Sequence, residues 1–479
     1  MRVLHFLLIP ATLLAQSGPR VQLSHTTEDL RGVSAVSRQI AWASGTHGTY
    51  LRTTDGGRTW TPDQVPGAEA LDFRAVVAFS ADEAFLMSIG PGDHSRIYHT
   101  ADAGQHWQLQ FTATHPKAFF DSMVFWDRRH GVVVGDPIPD ESPKEGSQDA
   151  STTAESRDAP AKQLKFELLL TDDGQTWRQI PPSQLPPAIE GEGTFAASNT
   201  CIAILQSALV IASPQSSVIL SGADSRAQSE NLRSRRIPTP PTLPISSLGI
   251  LSDGVEPSKS AASRLTRMPG SSWKSGASAP REAARNEGAS APESPDPNLW
   301  FATGGPVARV FHSPDRGQTW QVFDTPIVHG SDSVGIFSIA FRDPLHGVIA
   351  GGDYKHPDQD GPNLAFTDDG GKTWTLSPIH PQAFFSSAAY DRAVNDEAAR
   401  QQAAQTKAES EGKRIRVKPA PPQRIFLVGH DFIFDFRPPA NPRRVSGKKK
   451  LGLAFNAASP FPEGGALIVG PKGTIAFIP

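Results

Sequence analysis

One eight-residue pattern occurs five times in this chain of 479 residues and constrains its fold more than any other feature. The copies read TTDGGRTW, TADAGQHW, LTDDGQTW, SPDRGQTW and TDDGGKTW, and each ends in tryptophan. An aspartate stands five residues before each tryptophan, and a glycine stands three residues before it. The resulting triplets are Asp55, Gly57 and Trp60; Asp102, Gly104 and Trp107; Asp172, Gly174 and Trp177; Asp315, Gly317 and Trp320; and Asp369, Gly371 and Trp374. Such repetition predicts an architecture built from similar units.

Each copy has the composition of a hairpin turn. Glycine adopts positive φ where a chain reverses, and an aspartate carboxylate accepts hydrogen bonds from turn amides. The indole is expected to pack between neighbouring units, where burial removes roughly 150–250 Å² of its surface from water. We therefore assign the triplets a structural role.

Two short apolar runs precede each turn, which makes the repeat a four-stranded unit. Two further units near the carboxyl end have the runs without the eight-residue pattern, so the count is seven. The opening strands are predicted at 31–36, 73–79, 120–125, 193–197, 336–341, 385–390 and 451–455. The units are predicted at about 31–66, 72–113, 119–181, 192–324, 333–378, 383–437 and 451–479.

Four-stranded units of this size are typical of propeller blades. The last unit is one strand short, whereas residues 20–25 (RVQLSH) form an extended segment ahead of the first unit. We therefore predict an all-β fold, a single seven-bladed β-propeller over 20–479 in which an N-terminal strand completes the last blade.

Three segments interrupt the repeat. Residues 140–163 and 221–297 are rich in Ser, Ala, Pro and charged residues without apolar periodicity, so both are predicted to be disordered insertions. In residues 391–418, Ala, Gln, Glu and Lys dominate, which favours a solvated helical insertion.

The amino-terminal residues predict export. Arg2 precedes an apolar run over 3–14, and Ala15 is a small residue suited to cleavage, so residues 1–16 have the pattern of a signal peptide. No later apolar run reaches the roughly 18–20 residues that cross a bilayer. We expect a soluble extracytoplasmic protein, periplasmic or secreted. A net charge of −3 gives no reason to expect a nucleic-acid partner.

Charged and polar residues open the innermost strands of several predicted blades. In a propeller these positions ring the axial channel, and we expect a ligand site at that mouth. The candidate residues are Arg31, Asp72, Arg74, Asp121, Glu192 and Ser386.

The repeats resemble the Asp-box, or BNR repeat, whose pattern is Ser/Thr-x-Asp-x-Gly-x-Thr-Trp. The phrases ASGTHGT, PGAEALDFRAV, GDP and VGPKGTI, together with the repeat spacing, resemble the photosystem II stability/assembly factor family and its relatives in non-photosynthetic bacteria. This resemblance implies a WD40/YVTN/BNR-like propeller that binds, scaffolds or helps to assemble other molecules. The expected partner is another protein or a glycan.

A secreted glycoside hydrolase is the alternative, because sialidases also use Asp-box propellers and a fold does not determine a function. Three of the four tyrosines fall in strand patterns, which disfavours a sialidase nucleophile. Asp121 and Glu192 could instead form an acid and base pair. The competing interpretation is that these carboxylates pair with Arg74 and Arg31. The scattered histidines and the single cysteine, Cys201, predict no metal site, and we expect no cofactor.

Overall fold

The computed structural model describes residues 18–140, 163–195, 197–205, 296–379, 381, 383–410, 423–430, 432–437, 443–444 and 454–479. The predicted signal peptide at 1–16 lies outside these residues. So do nearly all of the predicted insertions at 140–163 and 221–297, and residues 411–418 of the predicted helical insertion.

Short β-branched and aromatic runs form antiparallel strands that assemble into seven sheets, six with four strands and one with a fifth, short strand. Strand β1 is Arg20–Gln22. Blade 1 has β2 Leu30–Ala35, β3 Ala41–Gly45, β4 Thr49–Thr53 and β5 Thr61–Gln64. Blade 2 has β6 Asp72–Ala78, β7 Ala84–Ile89, β8 Arg96–Thr100 and β9 Gln108–Thr112. Blade 3 has β10 Phe120–Phe125, β11 Gly131–Pro139, β12 Leu164–Thr171 and β13 Arg178–Gln179, with β14 Pro187–Ala188 also paired to β12.

The remaining blades repeat this order. Blade 4 has β15 Ile202–Ile204, β16 Leu299–Ala302, β17 Arg309–Ser313 and β18 Gln321–Asp324. Blade 5 has β19 Val334–Phe341, β20 Gly347–Asp353, β21 Leu364–Thr367 and β22 Thr375–Leu376. Blade 6 has β23 Phe385–Tyr390, β24 Ile425–Gly429, β25 Phe432–Phe436 and β26 Arg443–Arg444. Blade 7 has β27 Ala457–Pro460, β28 Ala466–Gly470 and β29 Thr474–Ile478. The predicted seven-bladed propeller is confirmed.

The ring closes through its amino-terminal strand, as predicted. Strand β1 pairs with β29, with Arg20 opposite Phe477 and Gln22 opposite Ile475, and so becomes the outer strand of blade 7. The Gln22 side chain extends this contact to blade 1. Its Oε1 accepts a hydrogen bond from Trp60 Nε1 at 3.0 Å, and its Nε2 donates to the Gly56 carbonyl at 3.1 Å.

Apolar side chains pack between adjacent blades. Trp60 packs with Leu467 and Val469 of blade 7, and Trp177 packs with Phe85 and Met87 of blade 2. The other three repeat tryptophans likewise lie in clusters shared with the preceding blade. The predicted packing of the indoles between neighbouring units is therefore confirmed.

Two opening strands lie later in the chain than predicted. Blade 4 opens at Ile202–Ile204 rather than at 193–197, because residues 193–195 and 197–200 enter the channel before the ladder begins. In blade 7 the innermost strand is Ala457–Pro460, whose small residues pair with β28. Residues 451–453 of the predicted strand 451–455 lie outside the described residues. AASP contains no β-branched or aromatic residue, and IAI is only three residues long, so neither stands out as a strand in the sequence.

A helix, α1 Arg392–Ser410, leaves blade 6 between β23 and β24, within the predicted helical insertion. Asp391 caps its first turn, with Oδ1 accepting from the Ala393 N–H at 3.1 Å. The other carboxylate oxygen accepts from Arg424 Nη1 at 3.0 Å, and Arg424 Nη2 donates to the Pro479 carbonyl at 2.8 Å. The start of α1 is thereby anchored to blades 6 and 7.

Candidate binding site at the channel mouth

The Asp-box turns join the third strand of a blade to its outer strand and line neither of the two channel cavities described below. In the first copy, Asp55 Oδ1 accepts hydrogen bonds from the Thr59 N–H and the Thr53 hydroxyl, both at 2.9 Å. The Thr53 hydroxyl oxygen in turn accepts from the Gly57 N–H at 2.9 Å, and Gly57 has a φ of 77°. These contacts show the structural role expected of the turn.

In the third copy, Asp173 takes this role, and the prediction of Asp172 is wrong. Asp173 Oδ1 accepts from the Thr171 hydroxyl at 3.1 Å and from the Thr176 N–H at 2.7 Å. Asp172 instead lies 3.3 Å from the Arg178 guanidinium, and both side chains are exposed. The reason is that the hydroxyl residue, Thr171, stands one residue closer to the glycine than in the other copies, so the hydrogen-bonded turn is one residue shorter.

We call the end of the channel where the innermost strands begin the first mouth, and the end where they finish the second mouth. At the first mouth, Asp72 Oδ2 lies 3.2 Å from Arg74 Nε and 4.0 Å from Arg31 Nε. Asp29 Oδ2 is 3.9 Å from Arg31 Nη2. Burial, and then the charge of Arg74, lowers the pKa of Arg31. Three of the predicted residues therefore meet as two guanidinium groups around one carboxylate.

A second group of predicted residues lies across the mouth, on blades 3 and 4. Asp121 is buried, and its Oδ2 accepts from the Thr194 hydroxyl at 2.5 Å. The Thr194 N–H donates to Asp136 Oδ1 at 3.0 Å, and burial raises the pKa of Asp136 to about 6. Together with Arg74 and Glu192, these side chains line a cavity of about 470 Å³. Asp136 belongs to the GDP phrase but was not among the predicted mouth residues.

Glu192 has partners for both of its carboxylate oxygens. Arg309 Nε donates to Oε1 at 2.9 Å, and Arg309 Nη2 donates to Oε2. The Thr303 hydroxyl and the Ile189 N–H donate the remaining hydrogen bonds, at 2.7 and 2.9 Å. Glu192 therefore pairs with Arg309, which opens β17, and not with Arg31 or Arg74. Sequence reasoning missed Arg309 because only innermost strands were searched for channel residues.

Ser386 lies away from this cavity. It is buried, and its hydroxyl donates to the Val428 carbonyl at 3.2 Å and to the Phe455 carbonyl at 3.4 Å. It thus joins blades 6 and 7, and its assignment to the mouth is corrected. The reason is that small polar residues on the innermost strands also serve as contacts between blades.

The channel is divided by a septum, which we define as residues 193–200 apart from 196. The Asn199 side chain exchanges hydrogen bonds with the Met123 backbone of blade 3 at 2.7 and 3.0 Å. The Ser198 hydroxyl donates to the Ser386 carbonyl of blade 6 at 2.5 Å. Residues 193–195 line the first-mouth cavity, whereas 198–200 line a separate cavity at the second mouth.

An aromatic cluster completes the first mouth. Phe195 of the septum stacks on Phe337 with ring centroids 4.0 Å apart, and Phe384 meets Phe337 edge-on at 4.6 Å. Tyr354 extends the cluster outward, with 46% of its surface exposed. This mouth therefore combines paired arginines, buried carboxylates and an aromatic wall.

The described ranges contain no cluster of three or more His, Cys, Asp or Glu side chains arranged to hold a metal ion. They also contain no helix with the length and apolar character needed to cross a membrane.

Comparisons with known proteins point to one group. A family model described as "Photosynthesis system II assembly factor YCF48" matches residues 15–137. The chain is 38% identical over 66 residues to the chloroplastic photosystem II stability/assembly factor HCF136 of Arabidopsis thaliana, and 37% identical over 67 residues to that of Oryza sativa subsp. japonica. Each match covers 13% of this chain and only 15% of the relative.

Among solved structures, "YCF48 bound to D1 peptide" is similar over 97% of this chain and 96% of that chain, with a TM-score of 0.50 and 13% identity. At that identity the likeness concerns the fold. The chain is therefore a seven-bladed Asp-box β-propeller that resembles the photosystem II stability/assembly factor family in sequence over its first blades and in fold around the whole ring.

Proposed function

We propose that this protein is an exported binding factor that holds an extended segment of another protein at the first mouth. The observation that carries the proposal is the arrangement of Arg31 and Arg74 around Asp72. Export is proposed from the signal-peptide pattern of residues 1–16.

The arginine pair favours an anionic group on the partner. Burial, and after it the positive charge of Arg74, lowers the pKa of Arg31, so an added negative charge would relieve the repulsion between the two guanidinium groups. Guanidinium groups bind carboxylates through paired N–H donors, which also orients the ligand. An acidic side chain of a protein segment fits this side of the mouth.

The rest of the mouth suits a peptide with mixed chemistry. Asp121 and Asp136 are acidic groups that line the same cavity as Arg74. Phe337, Phe384 and the exposed Tyr354 supply apolar surface beside these charges. A segment with acidic, basic and apolar side chains would find a complementary contact for each type.

The comparisons support the class of partner. The matched range 15–137 contains Arg31, Asp72, Arg74 and Asp121. The relatives are named as assembly factors, and the solved YCF48 structure is named for its complex with a D1 peptide. From these names we propose only that the partner of this protein is also a protein segment.

We propose binding rather than glycoside hydrolysis. A hydrolase requires one carboxyl group free to transfer a proton and a second free to act on substrate or water. Glu192 is occupied on both oxygens by Arg309, Thr303 and Ile189. Its contacts match those of a structural ion pair.

The test combines cross-linking with charge removal. A photoreactive residue at Tyr354 should cross-link a partner protein in extracts of the source cells, and one at the exposed Val322 on outer strand β18 should not. The identified partner should then bind the Arg31→Gln/Arg74→Gln double variant at least about tenfold more weakly, because charge-assisted hydrogen bonds contribute roughly 1.5–3 kcal/mol each.

Arg58→Gln is the matched control, since Arg58 is an exposed arginine in the first Asp-box turn. Its affinity should equal that of the wild type. Equal binding by the double variant would place the partner elsewhere. Glycan hydrolysis that Asp121→Asn abolishes would reject the binding role in favour of catalysis.

A further inference from the structure

A second cavity, of about 350 Å³, lies at the second mouth and is separated from the proposed protein-binding site by the septum. The final residues of the innermost strands of all seven blades contribute to its wall. Several of the apolar side chains that line it are only partly buried: Val33, Val77, Val124, Leu205 and Ala340. Its volume is at the lower end of the range of small-molecule pockets, about 300–1,000 Å³.

Helix α1 brings polar groups to the edge of this cavity. Arg392, Asn395 and Asp396 lie on one face of its first turns and line the cavity. The capping contacts of Asp391, and its ion pair with Arg424, hold this end of the helix against blade 6. These contacts fix the start of the helix, and so they fix the position of the three side chains at the edge of the cavity.

Arg392 and Asp396 carry opposite charges on neighbouring turns of the helix. Across the described residues, neither side chain has a hydrogen bond or an ion pair, although both are half-buried. Burial lowers the pKa of Arg392, and the negative charges of Asp396 and Glu463 only partly offset this effect. By contrast Arg342, which lines the same cavity, lies 3.4 Å from Asp343. Partly buried charges are usually paired, so this couple is suited to a ligand.

We propose that the second-mouth cavity binds a free α-amino acid with an apolar side chain. Residues four apart on a helix lie on the same face with their Cβ atoms about 5–6 Å apart. An α-amino acid carries its carboxylate and ammonium groups on one carbon, so Arg392 can bind the first and Asp396 the second. Val33, Val77 and Val124 then surround the side chain. A simple carboxylate would leave Asp396 facing a second negative charge.

Calorimetric titration of the full chain with L-leucine tests the proposal. Leucine should bind, and both Arg392→Gln and Asp396→Asn should weaken binding at least about tenfold, the factor expected when one charge-assisted contact is lost. N-acetyl-L-leucine lacks the ammonium group, L-leucinamide lacks the carboxylate, and glycine lacks the apolar side chain. Each should bind at least about tenfold more weakly than leucine.

Arg400→Gln and Glu397→Gln are the matched controls, because both residues lie on exposed positions of the same helix and pair with each other. They should bind leucine like the wild type, and thermal melting should show that all four variants are folded. The proposal is overturned if no apolar amino acid binds, if Arg392→Gln or Asp396→Asn binds leucine normally, or if N-acetyl-L-leucine binds as tightly as leucine.

Discussion

At the scale of single residues, the number of partners separates structural charges from charges available to ligands. Glu192 receives hydrogen bonds from Arg309, Thr303 and Ile189 and is almost inaccessible. Arg31 lies 3.9 Å from Asp29 and 4.0 Å from Asp72, which it shares with Arg74, and it remains about a quarter exposed. Because buried carboxylates must be compensated, Glu192 belongs to the scaffold, whereas Arg31 can exchange water for a ligand.

The third Asp-box gives a residue-scale prediction. Asp173→Ala should lower the free energy of unfolding by about 1–3 kcal/mol, because it leaves turn amides without acceptors. Asp172→Ala is the control and should change it by less than about 0.5 kcal/mol, because Asp172 makes only an exposed ion pair with Arg178. Chemical denaturation of both variants measures the difference. A larger loss of stability in Asp172→Ala would contradict this result and would return the structural role in the third turn to Asp172.

Glu167 on β12 gives a prediction of pH dependence. Burial raises the pKa of Glu167 from 4.5 to about 7, and its Oε2 has no hydrogen-bond partner within the part of the chain that is described. Lys165, two residues away on the same strand, donates instead to the Leu185 carbonyl. The folded state therefore holds a proton that the unfolded chain releases, so this residue's contribution to stability falls as pH rises from 4.5 to about 7.

Glu167→Gln should remove this loss because glutamine stays neutral. At about pH 8 the variant should be more stable than the wild type by roughly 2–3 kcal/mol, and at about pH 4 the two should be equal. Urea denaturation at both pH values measures the effect. Exposed Glu190→Gln is the control and should show no such difference. A pH-independent effect of Glu167→Gln would contradict the buried, protonated state.

At the scale of elements, hydroxyl groups link the innermost strands around the ring. The Ser459 hydroxyl of blade 7 accepts from the Ala35 N–H of blade 1, and the Ser34 hydroxyl accepts from the Ala78 N–H of blade 2, both at 3.0 Å. In each case a serine side chain of one blade accepts a hydrogen bond from a backbone N–H group of the next blade, which leaves that donor satisfied. Together with the tryptophans between blades, these contacts fix the spacing of neighbouring sheets.

Strand β1 provides the prediction at this scale. Deleting residues 20–25 should lower the melting temperature sharply, because blade 7 loses its outer strand. Gln22→Ala should lower the free energy of unfolding by about 1–3 kcal/mol, since Trp60 and the Gly56 carbonyl lose their partners. Val21→Ala, at an exposed position on the same strand, should have little effect. An unchanged melting temperature after the deletion would contradict closure by this strand.

At the scale of the whole molecule, the septum turns one axial channel into two separate cavities. The first mouth has paired arginines, carboxylates and aromatic rings, and the second mouth has aliphatic side chains with Arg392 and Asp396. Because the septum contacts blades 3, 5 and 6, it also joins blades that are not neighbours along the chain. The two proposed ligands therefore differ in size and chemistry, as their cavities do.

Much of the fold was predictable because its determinants are local. An Asp-box turn is specified within eight residues, so the blade number, the tryptophan packing and the closure by residues 20–25 followed from pattern and count. Strands β15 and β27 were misplaced because β15 has only three residues and β27 consists of small residues and proline, so neither has a pattern long or bulky enough to mark a strand.

By itself, the sequence determined a closed ring of seven blades, because the repeat and its spacing are local. It also placed Arg31, Asp72 and Arg74 at one mouth, because every blade begins with its innermost strand beside the channel. Tertiary structure decided the rest. Glu192 pairs with Arg309, which is 117 residues away in the chain, and the septum crosses the channel. Helix α1 places Arg392 and Asp396, which have no hydrogen bond or ion pair among the described residues, beside the second-mouth cavity. Such contacts depend on which distant segments are neighbours in space, and no local pattern encodes that proximity.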